Sequence, residues 1–347
     1  MGRTLVWSAA AAALTLAAAG GSAPAKADPI PIGVECDRAC LQGMVDQVLA
    51  AMVAHDAKRL PLSADFRYTE NGQELATNDG FWGTASGEGA YRHYFLDPRT
   101  QQAAVFAVMK ENGTNTDIVG MRIKLEGKKI SEIEAVFSRT GLGTAGPNGA
   151  ANLEAMGKPD PVWVNDNPDH AHREDIIRTS NKYFTYLEND DVKGDYSFFA
   201  DDCWRFENGI QTTSGPHPAP PRPPPAPAPG AAPAAAPAPR PGPSPFSLSC
   251  KGGFQTGTLQ VVTRIRDRRF PVVDEQTGAA FAFGFFDHNA QVHDFILADG
   301  SHMHGGLQAP FTWEIAEAFR IEKGKIKVVE AVINNVPYGM KAGWDGH

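Results

Sequence analysis

Between positions 39 and 55, apolar residues recur at helical spacing: Leu41, Met44, Val45, Val48, Leu49, Met52 and Val53. That stripe predicts an amphipathic helix. Pro61 closes the region. Phe66 to Thr69 then opens a strand that runs into Asn71-Gly72, a hairpin-turn dipeptide. The Gly-rich stretch Asp79 to Gly89 leads into a short helix-like piece, Ala90 to Phe95. Three strands follow at Ala103 to Lys110, Asp117 to Leu125 and Lys129 to Arg139, separated by Glu111-Asn112-Gly113 and Glu126-Gly127-Lys128.

The same order then starts again. Ile176, Ile177, Tyr183, Phe184 and Leu187 give a helix over His172 to Leu187, and Val192 to Phe199 reads as a second short helix or turn. Strands are expected at Cys203 to Glu207, Gln260 to Arg266, Ala279 to Phe286, Phe311 to Ile321 and Lys325 to Asn335. Asp287 to Pro310 is an extended connection without a counterpart in the first half. The residues repeat as well as the pattern. Arg67-Tyr68-Thr69-Glu70-Asn71-Gly72 returns as Arg205-Phe206-Glu207-Asn208-Gly209, and Met121-Arg122-Ile123-Lys124 as Phe319-Arg320-Ile321-Glu322. Each copy then reaches a Glu-Ala-Val tripeptide, at Glu134 and at Glu330. A period above a hundred residues is too long for a solenoid and means two copies of one domain. Helix first, then a curved, mainly antiparallel sheet, is an α+β layout. A helix across the hollow of a bent sheet makes a cone, the default place for a small molecule.

The boundaries follow. Residues 1–27 read as a signal peptide, with Arg3, the apolar run Leu5 to Ala19, and cleavage after Ala25-Lys26-Ala27. The first domain spans 28–140, a Gly-, Asn- and Pro-rich linker 141–168, and the second domain 169–347. The segment 214–246 interrupts the second copy with fifteen prolines, which can form neither a ladder nor a helix interior. No apolar stretch in the mature chain is long enough to span a bilayer. Cleavage takes the formal charge from −8 to −10, which disfavours nucleic acid as a partner. Four cysteines in an exported chain point to disulfides. Cys203 with Cys250 would clamp the base of the insertion, and Cys36 with Cys40 would pair locally at a helix start.

Several segments carry a resemblance: Thr69-Glu70-Asn71-Gly72, Arg269-Phe270-Pro271-Val272-Val273-Asp274-Glu275, Phe283-Gly284-Phe285-Phe286-Asp287-His288, Trp313-Glu314-Ile315-Ala316-Glu317 and Val336-Pro337-Tyr338-Gly339-Met340. In these the chain resembles two tandem nuclear-transport-factor-2-like domains, the superfamily of ketosteroid isomerase, scytalone dehydratase and the polyketide cyclases. More closely, it is similar to an uncharacterised family of secreted bacterial and fungal tandem proteins. The resemblance implies a cofactor-free lyase, isomerase or dehydratase acting on a partly apolar substrate, or a pure binding protein, since the superfamily contains both. It implies a sheet-to-sheet pairing of the two copies as an intramolecular pseudo-dimer in a monomeric chain. It also places a general base just after the first strand, which here means Glu70 and Glu207; the same Glu-Asn-Gly could instead only make a hairpin turn.

The second copy offers more chemistry. Asp287 and His288 end an apolar strand whose Phe283 and Phe285 are expected to line the cone, and adjacent Asp and His can orient one another. Glu314 and Glu317 fall on opposite faces of their strand, so the inward one is a buried carboxylate and a candidate acid or base; Glu317 is the candidate chosen. His293-Asp294 and His302-x-His304 lie on the extra connection, the latter with both rings on one face, as a metal would need or as a solvated loop allows. No metal or cofactor is assigned. Arg264, Arg266, Arg268 and Arg269 precede Asp274 and Glu275, which suggests an ion-pair network. Tyr68, Trp82, His93, Trp313 and Tyr338 are candidate cavity walls, with His93 and Tyr94 on the short helix over its mouth. There is no nucleophile elbow, phosphate loop or dinucleotide fingerprint.

Overall fold

In the computed structural model, residues 36–140, 147–167, 169–189, 192–217, 248–303 and 309–344 are described. The signal segment, most of the proline insertion and His304 lie outside the described residues. The first copy begins with α1 (Arg38–Val53), capped by Asp37 accepting from the Cys40 amide at 2.9 Å. Its buried residues are Leu41, Val45, Val48, Leu49, Ala51 and Met52, the stripe the sequence shows. Then come β1 (Leu62–Glu70), β2 (Gln73–Glu74), α2 (Phe81–Thr84), β3 (Ala85–Asp97), β4 (Gln102–Glu111), β5 (Asn115–Glu126) and β6 (Lys129–Ser138). Two linker helices follow, α3 (Pro147–Met156) and α4 (Pro161–Val164). The second copy runs through α5 (Arg173–Asn189), β7 (Phe199–Glu207), β8 (Ile210–Gln211), α6 (Cys250–Phe254), β9 (Arg264–Asp274) and β10 (Ala279–His288). The small hairpin of β11 (Phe295–Ile296) and β12 (His302–Met303) leads to β13 (Phe311–Glu322) and β14 (Lys325–Val336).

The two six-stranded sheets have the same order, β2-β1-β6-β5-β4-β3 and β8-β7-β14-β13-β10-β9. In each, the first long strand runs parallel to the last and the other pairings are antiparallel. This is an α+β architecture of two like copies, and neither sheet closes into a barrel. Disulfides join Cys36 to Cys40 and Cys203 to Cys250, and no cysteine is free. The second closes a loop of 47 residues and on chain-entropy grounds contributes about 4 kcal/mol.

The structure departs from the sequence reading in several places. Ala90 to Phe95 is not helical but part of β3. Its side chains alternate with period two: Tyr91 and Phe95 face one core, Tyr94 and Leu96 the other. The linker carries two helices, and it buries Ala150, Leu153 and Trp163. The expected strand at Gln260 to Arg266 begins as a 3₁₀ turn, and the strand proper is Arg264–Asp274. Strand pairing also shifts the internal repeat. Met121 and Glu317 each face the alanine of a Glu-Ala-Val tripeptide, Ala135 and Ala331. Glu317 therefore corresponds to Met121, two residues away from what sequence similarity suggests.

Three large apolar clusters organise the described residues. One lies between α1 and the first sheet, a second between α5 and the second sheet. The third joins the remaining faces of the two sheets through Tyr91, Phe95, Phe106, Phe281, Phe283 and Ala316, with Trp163 from the linker. The contacts across this joint are reciprocal, as a two-fold arrangement requires. Arg38, first residue of α1, binds Asp274 at the end of β9 with both guanidinium nitrogens, at 2.7 and 2.8 Å. Asp274 also accepts from the Leu96 amide at 3.0 Å. Arg173, first residue of α5, binds Asp97 at the end of β3 at 2.5 Å, and Asp97 accepts from the Val273 amide at 3.0 Å.

The two Glu-Asn-Gly turns obey the same reciprocity. Asn71 and Asn208 both have positive φ, and each side chain accepts an amide of the neighbouring last strand, Phe137 and Ile333, at 2.8 Å. The Gly209 turn is covered by α3: Asn152 donates to the Gly209 carbonyl at 3.2 Å. The Gly72 turn is covered by the tail after β14, where a Cβ on Gly343 would lie 2.9 Å from the Gly72 carbonyl oxygen.

At the centre of the joint, Gly120 meets its own counterpart, Ala316. A Cβ built on Gly120 would come within 2.5 Å of the Ala316 Cβ and 3.0 Å of the Phe106 ring. Gly120→Ala is expected to cost about 1–3 kcal/mol by overpacking. Urea unfolding measures it, and a variant as stable as the parent would show that the sheets do not meet here.

Candidate functional site

The pleat of β13 divides its two acids. Glu317 lies on the helix-bearing face with Ile315 and Phe319, and Glu314 on the face toward the first copy. Across the sheet, Glu317 pairs with Ala282 on one side and Ala331 on the other, and Ala331 pairs in turn with Glu207. The two flanking alanines put little side-chain volume beside the carboxyl group. One step along β7, Arg205 reaches Glu207 at 3.3 Å and donates to the Tyr183 hydroxyl of α5 at 3.1 Å. Tyr183 is walled by Phe184, Phe199, Phe254 and Phe319.

Glu317 is 2% exposed and its Oε2 has no hydrogen-bond partner. Burial, then the nearby Glu207 charge, pushes its carboxyl well above the usual range; Arg205 and Tyr183 oppose the shift without cancelling it. Its charged form is thus disfavoured, beside the aromatic rings that wall Tyr183. Burial, with the charge and hydrogen bond of Arg205 opposing it, likewise raises the Tyr183 phenol. Glu207 is half-buried and links this row to solvent.

Glu70, the corresponding residue in the first copy, is fully engaged. It accepts from the Tyr68 hydroxyl at 2.8 Å, the Phe81 amide at 2.6 Å and Arg139 at 2.7 Å. Arg139 also binds Glu111 at 2.9 Å, and Thr84 donates to Glu111 at 2.5 Å. Burial works against the ionised Glu111, yet these bonds hold its carboxyl below its ordinary value. Asp117 beside it is pushed up to about 6 by burial and by its contact with Glu111. Met121 stands where the second copy has Glu317, so the first copy has no acid at that position.

The other candidates separate. Asp287 and His288 do not form a dyad, because adjacent strand residues point to opposite faces. Asp287 is held by Arg264 at 2.6 Å, Arg266 at 3.0 Å and Thr312 at 2.7 Å, and these outweigh burial to keep it below the carboxylate range. His288 stacks on Phe311 with ring centroids 4.4 Å apart, bonds the Phe286 carbonyl through Nδ1, and leaves Nε2 without a partner. Burial lowers its pKa to about 4, so it is neutral. His288 pairs with Phe311, six residues along β13 from Glu317, roughly 20 Å at about 3.4 Å per residue, so the two cannot act on one atom.

Phe283 and Phe285 do not line the helix-bearing side. Phe283 faces the first copy, and Phe285 packs with Val336 and Ala342; Ala280, Ala282 and Phe286 hold the inner face instead. His93 is buried between the sheets, bonding Glu330 at 2.6 Å, with Tyr91 donating to the same carboxylate at 2.8 Å. Tyr68 and Trp82 are core residues of the first copy, Trp313 is half-buried beside the second core, and Tyr338 is exposed. The arginine run does not pair with Asp274 or with Glu275. Arg268 binds Glu188, Arg269 binds Glu134, and Asp274 takes Arg38. His302 is exposed on β12, and no group of three or more metal-ligating side chains occurs among the described residues.

Sequence reasoning missed Tyr183 and Arg205. Arg205 was legible from strand alternation, which puts it on the face of Glu207. Tyr183 was hidden among the apolar residues of its helix. Glu111, Asp117 and Arg139 gave no signal, because they converge only when β4, β5 and β6 pair.

A family model described as "Domain of unknown function (DUF8021)" matches residues 169–333, the second copy from just before α5 into β14. No curated protein matches the chain.

Glu317 gives a thermodynamic signature. The folded protein keeps this proton after the unfolded chain has released it, so stability falls as pH rises through and above the ordinary glutamate range. Glu317→Gln removes that dependence. Its Tm is expected to exceed the parent's by several degrees at about pH 8, with the gap closing at about pH 4. A Gln variant less stable than the parent at the higher pH would mean the carboxyl is ionised and paired.

Proposed function

We propose that this is an exported protein with a small-molecule pocket on the helix-bearing face of its second copy, acting as a cofactor-independent lyase, isomerase or dehydratase. The observation that carries the reading is the buried carboxyl of Glu317, whose Oε2 has no hydrogen-bond partner and whose charged form burial disfavours. Glu317 donates its proton to a carbonyl or leaving hydroxyl oxygen. Glu207, held by Arg205, accepts a proton from carbon. Glu207 and Glu317 stand on strands two apart, roughly 10 Å between backbones; the substrate in this reading is small and partly apolar, aromatic or polyketide-like, and would lie between their side chains. The first copy supports the second, because its matching glutamate is saturated. Export is supported by the charged and apolar start of the chain and by two disulfides with no cysteine free. No helix among the described residues is long and apolar enough to cross a membrane.

The assay is deuterium uptake and elimination, followed by NMR, over a panel of aromatic ketones and β-hydroxy ketones. Glu317→Gln is expected to lower turnover by about 10²–10⁴-fold, while His288→Asn leaves it within a few-fold. Unchanged turnover in the Gln variant refutes the assignment. Binding of such compounds without turnover favours the second reading, a non-catalytic binding or scaffold protein, for which the closely packed residues around Glu317 speak.

The reciprocal joint also supports a monomer, since each sheet already has its partner within the chain. Sedimentation is expected to give the mass of one mature chain; a dimer mass would contradict it.

A further inference from the structure

At the edge of the joint between the two copies lies a cleft of about 370 Å³ that the reaction proposed above does not use. Its volume falls within the range of roughly 300–1,000 Å³ usual for small-molecule sites. The first sheet contributes Arg122, Lys124 and Glu132, and the second contributes Arg269 and Phe270. Trp344, from the tail after β14, forms a further wall. The tail is held there by its own contacts. The indole donates to Thr69 at 2.8 Å, and the guanidinium groups of Arg67 and Arg122 lie 4.4 and 5.1 Å from the ring centroid.

The charge lining is unequal. Three cations face one carboxylate, Glu132. Behind them, Glu134 binds both Arg122, at 3.1 Å, and Arg269. Glu126 meets Lys124 at 2.8 Å from the more exposed side and completes the balance, so the surplus of cations is confined to the side chains that line the cleft itself. Burial, then the Glu134 charge, raises the Glu314 carboxyl, which disfavours a further negative charge near Arg269. Arg269 also has a buried Nε with no hydrogen-bond partner, a donor that the protein's own acceptors leave unused. A donor in that state costs stability unless something accepts from it. Lys124 is about one-third exposed and can turn toward an occupant.

From this we infer that the inter-copy cleft is a binding site for a small organic carboxylate with an apolar body. The carboxylate would sit against Lys124 and Arg269, and the body against Phe270 and Trp344. The site needs both copies and the folded-back tail, so neither copy alone contains it. That gives the duplicated architecture a role distinct from the Glu317 row.

The test is calorimetric titration of the mature, disulfide-bonded chain with sodium benzoate, with benzamide as the uncharged match and inorganic phosphate as the anion without an apolar body. Benzoate is expected to bind at one site, at least about tenfold more tightly than either control, and to weaken with added salt. Lys124→Met, which keeps the side-chain stem, is expected to weaken benzoate at least about tenfold with Tm unchanged, and Lys124→Arg to restore it. Equal binding of benzamide, or equal binding of phosphate, overturns the inference. So does benzoate binding that Lys124→Met leaves intact, or no benzoate binding at about 10 mM, about 10⁴-fold weaker than micromolar affinity.

Discussion

Everything in this chain depends on two sheets that cannot face water on either side. In β10 all ten positions are buried, and most of β4, β13 and β14 is too. A helix covers one face of each sheet. The other face stays apolar and must find a partner. The partner is the other copy. Close approach at Gly120 and Ala316 sets the spacing, and the arginines that open α1 and α5 lock the ends. The copies therefore constrain one another more than their separation by a linker suggests. The linker takes part as well: α3 seats on the Gly209 turn while α4 inserts Trp163 beside His93 and Phe95.

This joint also explains the most prominent motif. Glu-Asn-Gly recurs because each turn receives the segment that leaves the other copy. The glycines accept positive φ and close backbone contact, and the asparagines tie the turn to the last strand. The glutamate alone is free to vary in role. In the first copy it completes an Arg139-centred network, whereas in the second it stands near a second buried acid, Glu317.

The order of elements was legible because turn dipeptides and alternation are local signals. Strands β4, β5, β6, β13 and β14 lie within a residue or two of where the pattern puts them. The facing of side chains was not legible. When both faces of a strand are apolar, period-two alternation cannot say which face meets the helix, so Phe283 and Phe285 read as lining and instead look outward to the other sheet or the tail. Ala90 to Phe95 reads as a helix only because its apolar residues serve two different cores. Of the candidate acids, the spacing of Glu314 and Glu317 correctly put them on opposite faces. That both would be buried follows only from the second sheet's burial on both sides. Asp287 was misread for a simpler reason: two arginines distant in pattern but adjacent across β9 and β10 take up its charge.

The acids that hold the copies together are saturated. Asp97, Asp274, Glu134 and Glu330 each accept from at least two donors, and their removal would break assembly. Glu317 is not of this kind. A buried polar atom left without a hydrogen bond costs on the order of 1–3 kcal/mol, and the Met121 of the first copy shows that an apolar side chain fills the same place in the same fold. Folding therefore favours methionine there. A carboxylic acid whose charged form is disfavoured, with an unengaged oxygen and two alanines beside it, serves no packing purpose that methionine would not serve better.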